Sequence, residues 1–524
     1  MTLFQSAMGS LAPRDQTITE RLFEGLTHRP EETVLIDGPS GRTMTAGALV
    51  DMIRGLAGGL IESGRGNGHV VALMAPNMPE FAVVFHGVAY AGGTVTTLNP
   101  TYTAHEARHQ LIDSDAGTLI TVPAFVETAR DAIEGTGIEE VHVIGATEDT
   151  ATGGVPLSVL MGAPLARQAP VDLDSHIVVL PYSSGTTGMP KGVMLTHRNL
   201  VTNVDQVLTM IEVEPGELTT AFLPFFHIYG MTVMMNAFLA GGGGLVTMPR
   251  FDLEAFLQLA QDHRVKQVYL APPVVLVLAK HPLVDQYDLS ALEYLVSGAA
   301  PLGADVAEAV GRRLGCVAVQ AYGMTELSPV THITPKTAPR PGTVGLTVPG
   351  AACRIVDFET GRDLGPDEEG ELWIRSPQVM KGYLNNAQAT AEAIVEDGWL
   401  RTGDVACFDA DGYCFIRDRV KELIKVSGFQ VAPAELEAEL LTHPEVMDAA
   451  AIGVPDEEKG EMPVVFVVPA QNAAPSPEAI MGYLRERLTH YKHPREVIFL
   501  EEIPKSASGK ILRRQLRDRF DSVA

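Results

Sequence analysis

The residues with the clearest chemical potential lie in one loop of this 524-residue chain. Residues 182–192 read YSSGTTGMPKG and follow the apolar run IVVLP. Glycines let a backbone approach a ligand closely and turn its N–H groups inward, the Ser and Thr hydroxyls add donors, and Lys191 adds a point charge. The loop is not a Walker A motif, because no Gly precedes Lys191 and no Ser or Thr follows it. The pattern predicts a phosphate cradle formed by Ser183, Ser184, Gly185, Thr186, Thr187 and Lys191.

Four later segments follow this loop in a fixed order. They read QAYGMTE at 320–326, RTGD at 401–404, DRVKE at 418–422 and PKSASGKI at 504–511. Together with the loop they resemble the adenylate-forming superfamily, which includes acyl-CoA synthetases, peptide-synthetase adenylation domains and firefly luciferase. The resemblance covers nearly the whole chain. It implies an enzyme that uses ATP, Mg²⁺ and coenzyme A to activate a small carboxylic acid.

The resemblance implies a role for each later segment in holding the nucleotide. Tyr322 offers a ring to stack on adenine, Thr325 offers a hydroxyl to the α-phosphate, and Glu326 offers a hard oxygen ligand to Mg²⁺. Asp404 and Arg419 match residues that reach the ribose hydroxyls. The rest of the expected ATP and AMP site consists of Gln320, Ala321 and Lys510.

Lys510 matches the lysine that the family uses for adenylation. It would cover the α-phosphate and the attacking carboxylate as negative charge builds on them. Since it would then obstruct the thiol, the family rotates a small C-terminal domain about a hinge, which Lys421 matches here. The expected catalytic residues are Lys510, His227, Thr187, Glu326, Lys425 and Gln430. The expected CoA-binding residues are Arg250, Ser427 and Gly428.

Within the superfamily the resemblance narrows to the 4-coumarate–CoA and cinnamate–CoA ligases. It rests on FFHIYG at 225–230, SGAAPLG at 297–303 and the long match at 418–440. Val296 stands where plant enzymes commonly carry Lys, so we expect a dry pocket end that accepts cinnamate at least as well as 4-coumarate. The expected acyl pocket consists of His227, Tyr229, Val233, Val296, Ala299, Gly323, Pro329 and Val330.

The elements that must position these residues change character along the chain. Apolar runs alternate with helical stretches between residues 70 and 296, which predicts parallel sheets flanked by helices. Short strands separated by turns predict a small antiparallel barrel from about residue 342, and the last hundred residues predict an α+β domain. We therefore predict an α/β fold with a large N-terminal adenylation domain, 1–418, and a small mobile C-terminal domain, 419–524. The expected subdomains of the first are about 1–170, 171–340 and 341–418.

Composition excludes several other classes of protein. The formal charge of −26 argues against a general nucleic-acid binder and against a polybasic membrane anchor. The four cysteines form no C-x-x-C pair and predict reduced thiols, hence a cytoplasmic protein. The stretch 231–248 contains Asn236 and four consecutive glycines, which favours a buried helix and strand over a membrane span. We expect no signal peptide, no membrane partner, and a monomer or homodimer.

Four rival functions stay open at this point. An adenylation enzyme that loads a carrier protein usually places an Asp in the segment matching FFHIYG, which contains no acid here. A medium- or long-chain fatty acyl-CoA ligase differs only in pocket depth, and a luciferase-like oxygenase needs the first half-reaction plus oxygen. A non-catalytic nucleotide sensor would be favoured by loss of Lys510 or Glu326, and both are present.

Overall fold

A computed structural model describes residues 2–146, 153–183, 190–427, 429–456 and 458–523. The described residues form four β-sheets, three of them within residues 4–419 and one within residues 424–499. This arrangement confirms the predicted α/β class, with a large sheet-rich N-terminal part and a small C-terminal α+β part.

At one edge of the first sheet lie two strands, Tyr182–Ser183 and Lys191–Thr196, that flank the predicted phosphate loop. The central strand of this sheet, Val70–Met74, pairs in parallel with Thr94–Leu98 and with Thr118–Thr121. These strands are continuous apolar or β-branched runs because helices cover both faces. The spatial order is Tyr182–Ser183, Lys191–Thr196, Ile177–Leu180, Thr94–Leu98, Val70–Met74, Thr118–Thr121, Val141–Val143 and Val155–Pro156, with Gly382–Tyr383 also pairing Lys191–Thr196.

The second sheet joins the parallel strands before residue 323 to the antiparallel strands after it. The link is the antiparallel pair Val317–Gly323 and Val330–Ile333. The predicted regions 171–340 and 341–418 therefore share one continuous sheet. Its spatial order is Phe4–Gln5, Ala352–Val356, Gly370–Arg375, Leu400–Phe408, Tyr413–Arg419, Gly345–Thr347, Val330–Ile333, Val317–Gly323, Tyr294–Ser297 and Gln267–Leu270.

The third sheet includes the end of the apolar stretch 231–248, which we predicted to be a buried helix and a strand. That assignment is confirmed, since a buried helix covers Tyr229–Phe238 and a strand covers Gly244–Thr247, although the helix is of the π type. Among the described residues, no helix is long and apolar enough to cross a membrane. The sheet order is Leu218–Ala221, Gly244–Thr247, Thr33–Asp37 and Thr43–Thr45.

The C-terminal sheet has its own apolar cores, separate from the main one. Lys510 lies in the loop between its last strand, Glu496–Phe499, and the final helix, Arg513–Val523. The spatial order is Phe429–Val431, Ile424–Val426, Gly460–Pro469 and Val446–Asp456, with Glu496–Phe499 added parallel to Gly460–Pro469.

The α-helices fill the space around the sheets and start at ordinary capping residues. Thr17, Thr103 and Thr196, for example, each accept a hydrogen bond from the third backbone N–H of the helix that follows. The helices are Ile18–Leu26, Ala46–Glu62, Pro79–Tyr90, Ala104–Asp113, Val126–Ile133, His197–Met210, Leu253–Asp262, Pro272–Lys280, Ala304–Leu314, Ala387–Ala393, Pro433–Leu441, Pro477–Arg487 and Arg513–Val523.

Candidate active site

A deep cleft lies between the N-terminal part and the small C-terminal part. It contains two adjoining cavities of about 930 and 810 Å³. The larger is lined by groups from the phosphate loop, the sheet edge and the Lys510 loop. Tyr322 and Arg419 line both cavities, so the two form one continuous site.

Most of the predicted site residues meet in this cleft. The larger cavity is lined by Ser183, Lys191, His227, Tyr229, Ala299, Ala321, Tyr322, Gly323, Thr325, Glu326, Pro329, Val330, Arg419, Lys421 and Lys510. The smaller is lined by Gln320, Ala321, Tyr322, Asp404, Arg419, Gln430 and Lys510, among others.

Other predicted residues lie elsewhere. Val233 and Val296 are buried behind the cavity and do not line it. Arg250, Lys425 and Ser427 are exposed and line neither cavity. The remaining predicted residues, Ser184, Gly185, Thr186, Thr187 and Gly428, are outside the described residues.

Tyr322, Asp404 and Arg419 form one corner of the site. The Tyr322 hydroxyl donates to Asp404 Oδ2 at 2.5 Å, and Arg419 Nε lies 3.2 Å from Asp404 Oδ1. Cross-strand pairing of Asp404 with Arg419 sets this geometry. Burial raises the pKa of Asp404, while the Arg419 guanidinium and the Tyr322 hydroxyl oppose that rise. A carboxylate held by two donors and facing a cavity suits the two hydroxyls of a ribose.

Glu326 forms a second corner together with two hydroxyl groups. Ser183 Oγ donates to Glu326 Oε1 at 3.1 Å, and the Tyr383 hydroxyl donates to the same oxygen at 2.8 Å. The Lys191 ammonium lies 4.8 Å from the centre of the Tyr383 ring. These residues fit Mg²⁺, which takes hard oxygen ligands and usually binds through one or two carboxylates plus water and phosphate.

Lys510 projects into the cleft beside His227. Burial and the Arg419 charge lower the pKa of Lys510 to about 8, although Glu422 and Asp404 oppose the shift. Burial, together with the Lys510 charge, lowers the pKa of His227 to about 4. Near neutral pH, the lysine is therefore mostly charged and the histidine is neutral. His227 Nδ1 accepts the backbone N–H of Tyr229 at 3.3 Å, which orients the ring.

The loop that carries Lys510 approaches the N-terminal part closely at Gly509. A Cβ atom at Gly509 would lie 2.9 Å from the Cβ of Ala271, and its φ of +83° also favours glycine. The Ser506 hydroxyl accepts the backbone N–H of Lys510 at 3.1 Å. Glycine and serine at these positions therefore let the loop bring the lysine into the cleft.

Contacts between the two parts of the chain hold the small part in this position. Within the small part itself, Arg513 forms ion pairs with Glu437 at 2.6 Å and with Glu422, next to the predicted hinge, at 3.0 Å. Lys280 donates to the carbonyls of Leu441 at 3.3 Å and Val446 at 3.1 Å. Sequence analysis missed these residues and Tyr383. The segments KGY and ILRRQLRDR contain no chemical pattern that separates them from ordinary surface residues.

The Tyr322–Asp404–Arg419 corner, the Glu326 corner and a lysine from a separate C-terminal part are the groups expected of an adenylate-forming enzyme. Two family profiles agree with this class. The AMP-binding enzyme profile matches residues 22–384, and the AMP-binding enzyme C-terminal domain matches residues 435–510. The chain belongs to the AMP-binding enzyme family. The predicted class, an AMP-forming acid–thiol ligase, is confirmed at the level of that family.

Curated relatives match almost end to end. A 4-coumarate–CoA ligase 5 from Oryza sativa subsp. japonica is 39% identical over 526 residues, which are 98% of this chain and 97% of that protein. A 4-coumarate–CoA ligase 1 from Petroselinum crispum is 39% identical and covers 99% of this chain and 97% of its own length.

Solved structures show the same fold. ATP-bound MatB from Rhodopseudomonas palustris superposes with a TM-score of 0.87 at 28% identity, covering 97% of this chain and 100% of that one. The anthranilate CoA ligase AuaEII in complex with anthranoyl-AMP gives a TM-score of 0.89 at 26% identity, with 98% and 99% coverage.

Proposed function

We propose that the protein is an ATP-dependent carboxylate–CoA ligase that acts on 4-coumarate, cinnamate or a related aryl acid. The observation that carries this proposal is the convergence of Lys510, Glu326 and Tyr229 on one cavity of about 930 Å³. The lining of that cavity combines charged groups such as Lys510 with apolar residues such as Val330. An acid with its carboxylate towards Lys510 and its apolar part against such residues suits this lining. The 4-coumarate–CoA ligase relatives and the neighbour that holds anthranoyl-AMP support an aryl acid.

The first half-reaction must bring two anions together. A carboxylate oxygen of the acid attacks the α-phosphorus of ATP, forming the acyl-adenylate and releasing pyrophosphate. The Lys191 and Lys510 ammonium groups offset the repulsion and stabilise the charge that builds up. The loop hydroxyls at Ser183, Ser184, Thr186 and Thr187 and the amide of Gly185 would hold the phosphates. When bound, Mg²⁺ at Glu326 would neutralise phosphate oxygens.

The second half-reaction replaces AMP by a thiol. The sulfur of CoA attacks the acyl carbonyl, and AMP leaves with the former carboxylate oxygen. Because Lys510 lies over the acyl pocket, the small domain, 419–524, has to turn about Lys421 relative to 1–418 before the thiol can enter. That turn brings Lys425, Ser427 and Gly428 to the acyl pocket, together with Gln430, which lines the smaller cavity before the turn. Exposed Arg250 suits a CoA phosphate.

Two glycines allow close packing in the wall of the acyl pocket. A Cβ atom at Gly323 would lie 2.3 Å from the Pro329 carbonyl oxygen, and one at Gly298 would lie 3.0 Å from the Tyr229 ring. Glycine at these two positions therefore lets Pro329 and the Tyr229 ring approach the neighbouring backbone. Val296 is buried behind the cavity and offers it no cation. We therefore keep the expectation that cinnamate is accepted at least as well as 4-coumarate.

A panel of carboxylic acids tests this proposal. Cinnamate, 4-coumarate, benzoate, an amino acid and fatty acids of several lengths would each be incubated with ATP, Mg²⁺ and CoA, with AMP and thioester as readouts. We expect both products in equal amounts, and the highest kcat/KM with the first two acids. A best rate with a fatty acid would overturn the aryl assignment. A preference above about 1,000-fold for 4-coumarate over cinnamate would overturn the dry-pocket argument.

The proposal includes a reducing, cytoplasmic setting. All four cysteines, Cys316, Cys353, Cys407 and Cys414, are free thiols, which supports it. Expression of the tagged chain followed by cell fractionation is the check, with recovery in the membrane or extracellular fraction as the contradicting result.

A further inference from the structure

Tyr383 contacts two charged groups of the proposed metal and phosphate corner, Glu326 and Lys191. Its hydroxyl donates to Glu326 Oε1 at 2.8 Å, and the Lys191 ammonium lies 4.8 Å from its ring centre. The phenol is the donor in this hydrogen bond, because an ionised carboxylate oxygen can only accept.

The backbone around Tyr383 fixes the direction of its side chain. Tyr383 pairs with Val193 across an antiparallel ladder, on the strand that begins at Lys191. Its backbone N–H donates to Thr390 Oγ1 at 2.9 Å. At Gly382 a Cβ atom would lie 2.8 Å from the Thr390 methyl, so only glycine allows this close approach. The phenol is therefore anchored to the same strand as the lysine whose charge it contacts.

The hydrogen bonds to Glu326 are unevenly distributed over its carboxylate. Ser183 Oγ and the Tyr383 hydroxyl both donate to Oε1, at 3.1 and 2.8 Å. Two donors on one oxygen fix the rotation of the carboxylate, and the side chains of the described residues leave the lone pairs of Oε2 for a cation. The Tyr383 ring face, in turn, attracts the Lys191 ammonium by a cation–π interaction.

We propose that Tyr383 is a positioning residue for the adenylation half-reaction: its hydroxyl sets the orientation of Glu326 and its ring sets the position of Lys191. The inference rests on the proposed function, because it assigns work to the metal and phosphate corner of that same site. Residues that orient a metal ligand commonly change metal affinity or activity by about 10- to 100-fold when they are replaced.

The Tyr383→Phe variant keeps the ring and removes only the hydroxyl. We expect the Mg²⁺ concentration for half-maximal pyrophosphate exchange to rise about 10-fold. The KM for the acid and the rate of thioester formation from supplied acyl-adenylate should stay within about twofold, because neither uses the metal. Binding of Mn²⁺ in the presence of ATP, followed by electron paramagnetic resonance, should weaken by the same factor. Tyr383→Leu also removes the ring and should weaken binding of metal-free ATP as well.

The matched control is Tyr413→Phe, which removes a phenol that donates to the Ala338 carbonyl at 3.0 Å outside the site. It should leave all of these values unchanged. A double mutant tests whether the Tyr383 hydroxyl acts through Glu326. In a Glu326→Gln background, Tyr383→Phe should cause no further change in Mg²⁺ dependence.

Each outcome bears on a separate claim. An unchanged Mg²⁺ and Mn²⁺ response in Tyr383→Phe, or a fully additive double mutant, would overturn the inference. If circular dichroism shows that Tyr383→Phe does not fold, Tyr383→Leu takes its place. The Mn²⁺ measurement on the variant that folds then decides whether Tyr383 positions the metal ligand. Failure of the wild-type protein to form any acyl-adenylate would instead overturn the proposed function, and it would be recognised before any variant is compared.

Discussion

Raising the pH from 7 to 9 should remove the positive charge of Lys510 and, with it, most of the adenylation activity. Burial is the main reason, since it lowers the pKa of this ammonium to about 8 and Arg419 adds to the effect. Lysine carries its charge below its pKa and loses it above. The charged form is therefore abundant at neutral pH and scarce two pH units higher.

The pKa of Lys510 determines how far adenylation activity should fall as the pH rises. With a pKa of about 8, roughly nine-tenths of the lysine is charged at pH 7, half at pH 8 and about one-tenth at pH 9. The kcat/KM for ATP reports the free enzyme and should fall about tenfold between pH 7 and pH 9. Bound ATP favours the charged form, so the corresponding fall in kcat should occur at a higher pH.

Pyrophosphate exchange with cinnamate, measured from pH 6.5 to 9.5, checks this prediction. Lys510→Met should give a flat profile that lies about 10²- to 10³-fold lower, because an electrostatic stabiliser of the transition state is missing. Lys510→Arg should also be flat, since a guanidinium does not titrate in this range. The reasoning is refuted if wild-type kcat/KM stays constant up to pH 9.5, or if the arginine variant shows the same fall as the wild type.

Three further predictions follow from the same geometry. Lys421→Pro should spare pyrophosphate exchange and reduce thioester formation, since only the second half-reaction needs the hinge; equal loss of both would contradict the hinge assignment. Gly509→Ala should lower pyrophosphate exchange about 10-fold or more with little change in melting temperature, because its Cβ atom would lie 2.9 Å from Ala271 and displace the Lys510 loop; full activity would contradict the close approach. Burial lowers the pKa of His86 and His197 to about 3, so the fold keeps them neutral while the unfolded chain takes up protons below pH 6.5. The free energy of unfolding should fall with decreasing pH by up to about 1.4 kcal/mol per pH unit for each histidine. Urea unfolding at a series of pH values measures this fall, and the free energy should depend less steeply on pH in a folded His86→Gln variant.

Local elements could be predicted well from sequence. The strand Val70–Met74 and the helix Pro433–Leu441 carry such local signals, an apolar run beside a turn and a Pro at the first helical position. The joining of two predicted regions into one sheet could not be predicted. Strand pairing such as that of Val317–Gly323 with Val330–Ile333 depends on non-local geometry. The π-helical form of Tyr229–Phe238 likewise leaves no local pattern.

The same distinction applies to the site. Residues 182–192 and Glu326 could be identified because their side chains are typical of phosphate and metal chemistry. Tyr383 could not, because an isolated tyrosine after KG gives no indication that its hydroxyl reaches Glu326, 57 positions away. Val233 and Val296 were expected in the pocket lining through the resemblance alone, yet the packing around them leaves both buried behind it.

Isotope transfer shows which phosphorus atom of ATP a carboxylate oxygen of the acid attacks. Cinnamate labelled with ¹⁸O in its carboxylate would be incubated with the protein, ATP, Mg²⁺ and CoA, and the nucleotide products analysed by mass spectrometry. Attack at the α-phosphorus, as proposed, places one ¹⁸O atom in AMP and none in pyrophosphate. Finding ADP, with the label in inorganic phosphate, would contradict it, since attack would then have occurred at the γ-phosphorus.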